Sequence, residues 1–546
     1  MTVNERLRAR RSTVVFATLL IIFLVGMGLR LYALGADSLW LDEILTALVA
    51  REDVLSILRF HAREAANPPL ISLIIHAFFS AWGENEFVAR LPSALVGSLS
   101  ILLVYEAGAL LWTRRVGLLG ALLLAVNPYH VAYSQEARHY ALMAFLALLS
   151  LIFLLKALKG RSPWLWLGFV LCTSLSLYNH YFAFLFLPAE VLLAAWTIAE
   201  ERPARQRNSS SRPGWYREFW TDPTKRQAAT LLLSLLCVGI LYLPWVSALS
   251  SQFSKQLRSA PLGLSATTLE SALHAAYEVF VDFGGVEGPL WILWLALFLL
   301  GLASAGWKRR TFVLVWLGAT LAFLLTIDAE HPFRSRYVIF SLPIYLLVIA
   351  NGLTILADVG HRLLSRLVRP GPQWRPALIS SLAALLLAVL SLPSLAGYYQ
   401  QEKEDWRDAA AYILDHRAPD EMVIADGETY GAGGDSQRTS KALSYYFLKA
   451  GEEIAVLCAQ QSLAANLGEL PGSITGAWGV LWHGSDLTGV GDVAREAEVT
   501  EFPQVAVVRP LDRGADVVGQ AMSVLSTLDA IQPSPKGRID LQLAMA

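Results

Sequence analysis

The stretch "VVFATLLIIFLVGMGLRLYAL", Val14 to Leu34, is an unbroken apolar run. It passes directly into "GADSLWLDEILTAL", Gly35 to Leu48, where two adjacent carboxylates, Asp42 and Glu43, stand among tryptophan and leucine. A helix needs about 20 apolar residues to cross a hydrocarbon core, so the first stretch reads as a membrane span. The second reads as the chain leaving the bilayer with a pair of acids at its surface. Further apolar runs of bilayer length, or close to it, follow at Pro92–Leu111, Val116–Tyr133, Ala141–Leu158, Trp164–Tyr178, Phe182–Ile198, Ala228–Val246, Pro289–Ala305, Phe312–Ile327, Tyr337–Leu356 and Ala377–Leu395. The expectation is an α-helical polytopic membrane protein of about eleven spans. Composition agrees, since 55% of the 546 residues are hydrophobic and only 16% charged, well to the apolar side of a soluble domain.

Charge placement orients these spans, because short cytoplasmic loops carry an excess of Lys and Arg. Arg6, Arg8, Arg10 and Arg11 precede the first span, Arg114 and Arg115 follow the second, Lys156, Lys159 and Arg161 the fourth, and Lys308, Arg309 and Arg310 the eighth. All fall on one face, together with Glu200–Lys225 and Arg362–Arg375, which makes that face cytoplasmic and places the N-terminus inside. "RLRARR" followed by so long an apolar run reads as an uncleaved signal anchor. The external face then receives the first loop, Gly35–Leu91, several short loops and a tail from Gly397 onward. Within the first loop, Pro69–Trp82 is too short to span and reads as an interfacial helix. In the tail, the strand-like runs "EMVIA", "EIAVLC", "WGVLWH" and "QVAVV" alternate with helical or loop stretches such as "WRDAAAYILDH" and "VGQAMSVLSTL", the pattern of a small α/β domain. The domain reading is 1–396 for the membrane part and 397–546 for the external part.

Ionisable groups at membrane-helix ends are costly unless paired or wet, so their positions are candidate sites. Asp42 and Glu43 are the first: as solvated loop acids they need no role, and as a site one accepts a proton from a hydroxyl while the other orients the group. Neighbours on a helix diverge by about 100°, so the two would not share a face. The second cluster is "NPYHVAYSQEARHY", Asn127 to Tyr140; if helical, Glu136, His139 and Tyr140 fall on one face and Gln135 and Arg138 on another. Snorkelling of Arg138 and an aromatic belt account for the same residues without chemistry. The third is "DAEHPFRSRY", Asp328 to Tyr337, which crowds His331, Arg334 and Arg336 at the external start of a span, where a phosphate group would account for the positive charge.

Other chemistries find little support. The ten histidines form no metal-ligand spacing, and no cofactor is called for, although external carboxylates could meet a divalent cation transiently. Cys172 and Cys237 lie in apolar runs and Cys458 stands alone, so no disulfide or cysteine metal site is implied. No Walker loop or GxGxxG followed by a helix appears, "GAGGD" in the tail reads as a loop, and no nucleic-acid partner is expected.

Three motifs in order, "SLWLDEILTALVA", "NPPLISLIIHAFFSAWGENEFVARLPSALVGSLSILLVYEAG" and "AVNPYHVAYSQEARHYALMAFLALLSL", resemble the bacterial members of glycosyltransferase family 39, the protein mannosyltransferase and aminoarabinose transferase-like enzymes with the GT-C fold. The resemblance is close from about Leu39 to Leu155 and looser through "RSRYVIFSLPIYLLVIANGL" and "KEDWRDAAAYIL". It implies transfer of one sugar, a hexose or a pentose, from a polyprenyl phosphate in the bilayer to a protein, lipid or glycan acceptor on the external face, usually with inversion. Carried over residue by residue, it makes Asp42 the base and Glu43 its neighbour, and puts Glu136 and Arg138 at the sugar and phosphate. Together with the polar clusters above, the candidate donor-binding residues are Glu136, Arg138, His139, Arg334, Arg336 and Tyr337, with Asn67 and His331 as candidate acceptor or loop contacts. Relatives often carry His or Lys before the double proline, where this chain has Asn67 before Pro68 and Pro69. A phosphate leaving group needs no nucleotide site, because arginines can take its charge without protonating it. Two other readings stand beside this one. A non-enzymatic transporter or assembly subunit would favour repeated halves and midplane polar groups, which the sequence lacks; a second enzyme of the same fold would move a whole oligosaccharide or cut a lipid phosphate.

Overall fold

A computed structural model describes residues 3–64, 67–160, 162–200, 222–259, 266–285, 288–324, 334–367, 375–401, 403–419, 421–425, 438–454, 456–458, 476–482 and 497–510. The first ten helices are α1 (Val3–Leu31), α2 (Leu41–Arg51), α3 (Val54–Glu64), α4 (Leu70–Trp82), α5 (Glu86–Leu111), α6 (Arg114–Val126), α7 (Pro128–Ser134), α8 (Tyr140–Lys159), α9 (Pro163–Asn179) and α10 (Leu187–Glu200). The chain divides into two compact units, one of residues 1–32, 53–74 and 90–399 and one of 33–52, 75–89 and 400–546. The first loop, residues 35–91, is divided between the two units.

In the first unit every expected span coincides with a helix, and the chain is a multi-pass membrane protein. By length and apolarity, seven helices among the described residues can cross a membrane, or nine when two bent pairs are each taken as one span, where the sequence suggests about eleven. The remaining two, Trp164–Tyr178 and Phe312–Ile327, fall in the shorter or more charged helices α9 and Trp307–Leu324, the last residues of the latter expectation lying outside the described residues. Burial sorts the spans into layers. Of the most apolar stretch in Ser335–Leu363, 94% is buried, against 17% in Thr13–Leu31, so the former is wrapped by other helices and the latter faces lipid. Close helix approach needs small residues, and Gly301 and Gly352 supply it: a Cβ on Gly301 would meet the Val348 carbonyl, and one on Gly352 the Leu297 carbonyl.

One expected span, Val116–Tyr133, is broken. α6 and α7 meet at 63°, because Asn127 starts a new helix: its side chain accepts from the His130 N–H at 2.8 Å, and Pro128 takes the first helical position, where it has no N–H to lose. The carbonyls freed at the end of α6 are taken by Arg30 of α1. Its fully buried guanidinium donates to the carbonyls of Leu124 (3.0 Å), Ala125 (3.0 Å) and Gly26 (2.8 Å), and lies 2.8 Å from His130 Nδ1.

The second unit is built on a five-stranded mixed sheet: β1 (Glu421–Ala425), β2 (Val456–Cys458), β3 (Gly476–Trp482), β4 (Ala497–Phe502) and β5 (Val505–Pro510), in the order β2-β1-β3-β5-β4. β1 runs parallel to β2 and β3, while β5 is antiparallel to β3 and β4. Four strands arise in runs read as strand-like; β4, "AEVTEF", was not read because its alternation is interrupted by acids. "WRDAAAYILDH" forms the helix Trp406–His416, and "VGQAMSVLSTL" lies outside the described residues. The Pro69–Trp82 segment forms the 13-residue helix α4.

Candidate functional site

In the second unit, α2 carries both acids on its first turn and separates them. Asp42 is partly exposed, whereas Glu43 is fully buried and its carboxylate turns back to accept the Trp40 N–H at 3.2 Å. The next backbone donor, the Leu41 N–H, goes to buried Glu404 at 2.9 Å, whose same oxygen also accepts from the Trp406 indole at 2.6 Å. Orphan N–H groups at a helix start need such acceptors. The acid of "KEDW" thus fixes the helix that presents Asp42. A carboxylate on the first helical turn is also favoured by the helix dipole.

In the first unit, Gln135 to His139 form a turn rather than the continuous helix through Tyr140, so the shared face expected for Glu136, His139 and Tyr140 does not exist. The turn is held from three sides. The Gln135 amide donates to the carbonyls of Arg30 (3.2 Å) and Tyr32 (2.7 Å), Ser93 of α5 donates to the Arg138 carbonyl (3.2 Å), and Asn179 at the end of α9 donates to the His139 carbonyl (2.9 Å). Held this way, the turn brings together residues from distant sequence. The Arg138 and Arg336 guanidinium groups lie 6.0 and 5.6 Å from the Tyr140 ring centroid, and Arg336 also lies 5.7 Å from that of Tyr337. The His139 ring packs on Tyr140 at 4.3 Å and on His180 at 4.4 Å, and His180 stacks with Tyr337 at 6.3 Å. Glu136 and Arg336 both act electrostatically on the Tyr133 hydroxyl. The result is a layer of rings over which two guanidinium groups lie.

Arg334, partly exposed, opens the 3-10 turn Ser335–Ser341 that carries Arg336 and Tyr337. That turn is tethered by Ser335, which accepts from the Tyr129 hydroxyl at 2.7 Å and donates to the Asp282 carboxylate. Asn67 contributes its backbone: the carbonyl accepts from His61 Nδ1 at 2.7 Å, and His61 Nε2 accepts from Ser72 at 2.9 Å, which pins the double-proline turn between α3 and α4. His331 lies outside the described residues. Among the described residues, no group of three or more His, Cys, Asp and Glu is placed to hold a metal ion.

Sequence reading missed His61, His180 and Asp282. His180 stands singly at the end of an apolar segment, His61 lies among the charged residues Arg59, Arg63 and Glu64 of the first loop, and Asp282 lies in a segment that was not read as a span. Burial holds all three imidazoles nearest the arginines below the usual histidine range: His61, with Arg138 adding to the effect; His139, with His180, Arg138 and Arg336 adding; and His180, lowered to about 3, with Arg138 adding.

Residues 66–210 match the family described as dolichyl-phosphate-mannose-protein mannosyltransferase. A stretch of 188 residues, 34% of this chain, is 28% identical to the Bacillus subtilis (strain 168) protein named "Putative mannosyltransferase YycA" and spans 24% of that protein's length. The fold matches that of ArnT from Cupriavidus metallidurans with a TM-score of 0.52 in the apo state and 0.51 bound to undecaprenyl phosphate, both at 14% identity; 92% and 93% of this chain and 98% of ArnT are covered. The archaeal oligosaccharyltransferase AglB from Archaeoglobus fulgidus, solved with an inhibitory peptide and a dolichol-phosphate, matches at 0.50 and 13% identity over 86% of this chain and 69% of its own. Fold and apolar helices define the class, a multi-pass membrane protein with the fold seen in ArnT. Within that class, residues 66–210 are similar to the mannosyltransferase family that the motifs of the sequence resemble.

Proposed function

We propose that this protein transfers a single sugar from a polyprenyl phosphate to an acceptor hydroxyl at the external face of the cytoplasmic membrane. The observation that carries the reading is the pair of guanidinium groups, Arg138 and Arg336, gathered over Tyr140 at the ends of membrane helices. Ionisable groups gathered at that depth are rare and by default mark a functional site. A lipid phosphate reaches that depth, and the family match and the ligand of the ArnT structure favour the same donor.

The assigned chemistry is an inverting displacement. The acceptor oxygen bonds to the anomeric carbon, and the bond from that carbon to the phosphate oxygen breaks. The polyprenyl phosphate leaves with the electron pair, its charge taken by Arg138 and by Arg336, with Arg334 assisting. Asp42 receives the acceptor proton, and Glu43 holds the start of α2. Each role rests on the residue's own surroundings and on the resemblance of its motif. Purified full-length protein incubated with radiolabelled polyprenyl-phosphate sugars and native membranes tests the reading. Label is expected to pass to a product that is no longer a polyprenyl phosphate, and label that stays with the donor for every sugar offered would overturn it.

A further inference from the structure

Resting on that reading, we infer that His180 binds the phosphate of the lipid donor as an uncharged hydrogen-bond donor beside Arg138 and Arg336. His180 closes α9, its backbone N–H bonding back to the Ser176 carbonyl, and its side chain is buried. Nδ1 accepts the Phe182 N–H at 3.1 Å, so a neutral ring must carry its proton on Nε2. The ring is held between His139, which packs on the Tyr140 ring that both guanidinium groups approach, and Tyr337, which Arg336 also approaches.

Polar capacity beside it is unfilled. His139 Nε2 and Asn179 Oδ1 are buried and make no hydrogen bond among the described residues. Buried polar atoms nearly always have partners, so these two mark a place that a polar ligand occupies: His139 Nε2, where it carries the ring proton, can donate to a phosphate oxygen, whereas Asn179 Oδ1 only accepts and suits a hydroxyl of the donor sugar. The charge balance says which kind of donor fits. The groups acting on this ring pair are Arg138, Arg336 and His61, so a further cation would be repelled by its neighbours, while a neutral N–H adds a phosphate contact without that cost. Burial keeps His180 neutral across the physiological range, which rules it out as the proton carrier and leaves it the donor role.

The test titrates undecaprenyl phosphate, with undecaprenol as the phosphate-free arm, into full-length wild type and His180→Phe, His180→Leu and His180→Gln in nanodiscs, following tryptophan fluorescence. His180→Phe keeps a ring without a donor, His180→Leu removes both, and His180→Gln restores an N–H. Phe and Leu are expected to weaken undecaprenyl phosphate binding about tenfold, the size of one hydrogen bond to a charged oxygen, with Gln within about threefold of wild type and no change for undecaprenol. Equal binding by wild type and whichever of the Phe and Leu variants folds would overturn the inference, as would a Gln variant no better than they are, or an equal loss for undecaprenol. A wild-type protein that does not bind undecaprenyl phosphate would instead overturn the proposed function, and the inference with it.

Discussion

Asp42 and Glu43 are adjacent in sequence and differ in surroundings: one is partly exposed, the other buried and bonded to the backbone of Trp40. If Asp42 is the base, Asp42→Asn lowers turnover by about 10²-fold or more while donor binding stays near wild type, the separation expected when a proton acceptor is removed but shape is kept. Glu43→Gln retains an acceptor for the Trp40 N–H and costs less. An inserted, folded Asp42→Asn protein turning over at the wild-type rate would refute the assignment. For the arginines, removing one charge-assisted contact weakens donor binding by roughly 1.5–3 kcal/mol, so Arg138→Ala and Arg336→Ala each raise the dissociation constant for undecaprenyl phosphate. Lost thermal stability with unchanged affinity would mean that they only anchor helix ends. The acid pair and both arginines were legible in the sequence because they break apolar context in clusters. His180 was not, because a lone histidine between aromatic residues carries no pattern, and only the fold sets it against His139.

Among the elements, the sequence predicts the helices and misses how they break. Apolar runs show where helices lie, since burial depends on composition; bends depend on single polar partners. "NPYH" held the signal for the break between α6 and α7, namely a capping side chain followed by proline. The compensating group, Arg30, lies nearly a hundred residues upstream, inside an apolar run where nothing local ties it to the break. It is fully buried and serves three carbonyls. Arg30→Met removes these contacts and takes from the Ala125 carbonyl its guanidinium donor, a loss of about 1–3 kcal/mol, so a fall in the thermal midpoint in detergent is expected, with Arg30→Lys recovering part of it. An unchanged midpoint for Arg30→Met would show that the break holds without it. The Gln135–His139 segment has a pattern compatible with helix, and the sequence left its conformation open; the side chains of Gln135, Ser93 and Asn179 hold it as a turn.

For the whole molecule, three depressed imidazoles make stability depend on pH. His61, His139 and His180 are neutral when folded and titrate near 6.5 when unfolded. Their stabilisation is therefore complete above about pH 6.5 and is lost as pH falls below it, for His180 continuing toward about 3, because the unfolded chain binds the protons the folded one refuses. The thermal midpoint is expected to drop between pH 7 and pH 5. His61→Gln, which keeps hydrogen-bonding ends but cannot titrate, should flatten the slope, and an unaltered slope would exclude His61 from the effect. Sidedness comes from charge bias alone: an impermeant thiol reagent on intact cells should label a single cysteine at Ser436 and not one at Ser210, in a background lacking Cys172, Cys237 and Cys458, and the reverse would invert the topology. The central claim is a one-sugar transfer that liberates a lipid phosphate. It is tested most directly by mass spectrometry of the lipid and acceptor products in proteoliposomes of known orientation. One polyprenyl phosphate released per single sugar gained by the acceptor, on the side bearing the Asp42 loop, is the predicted result; a sugar lipid crossing the bilayer intact, a multi-sugar block transferred, or free sugar released to water would contradict it.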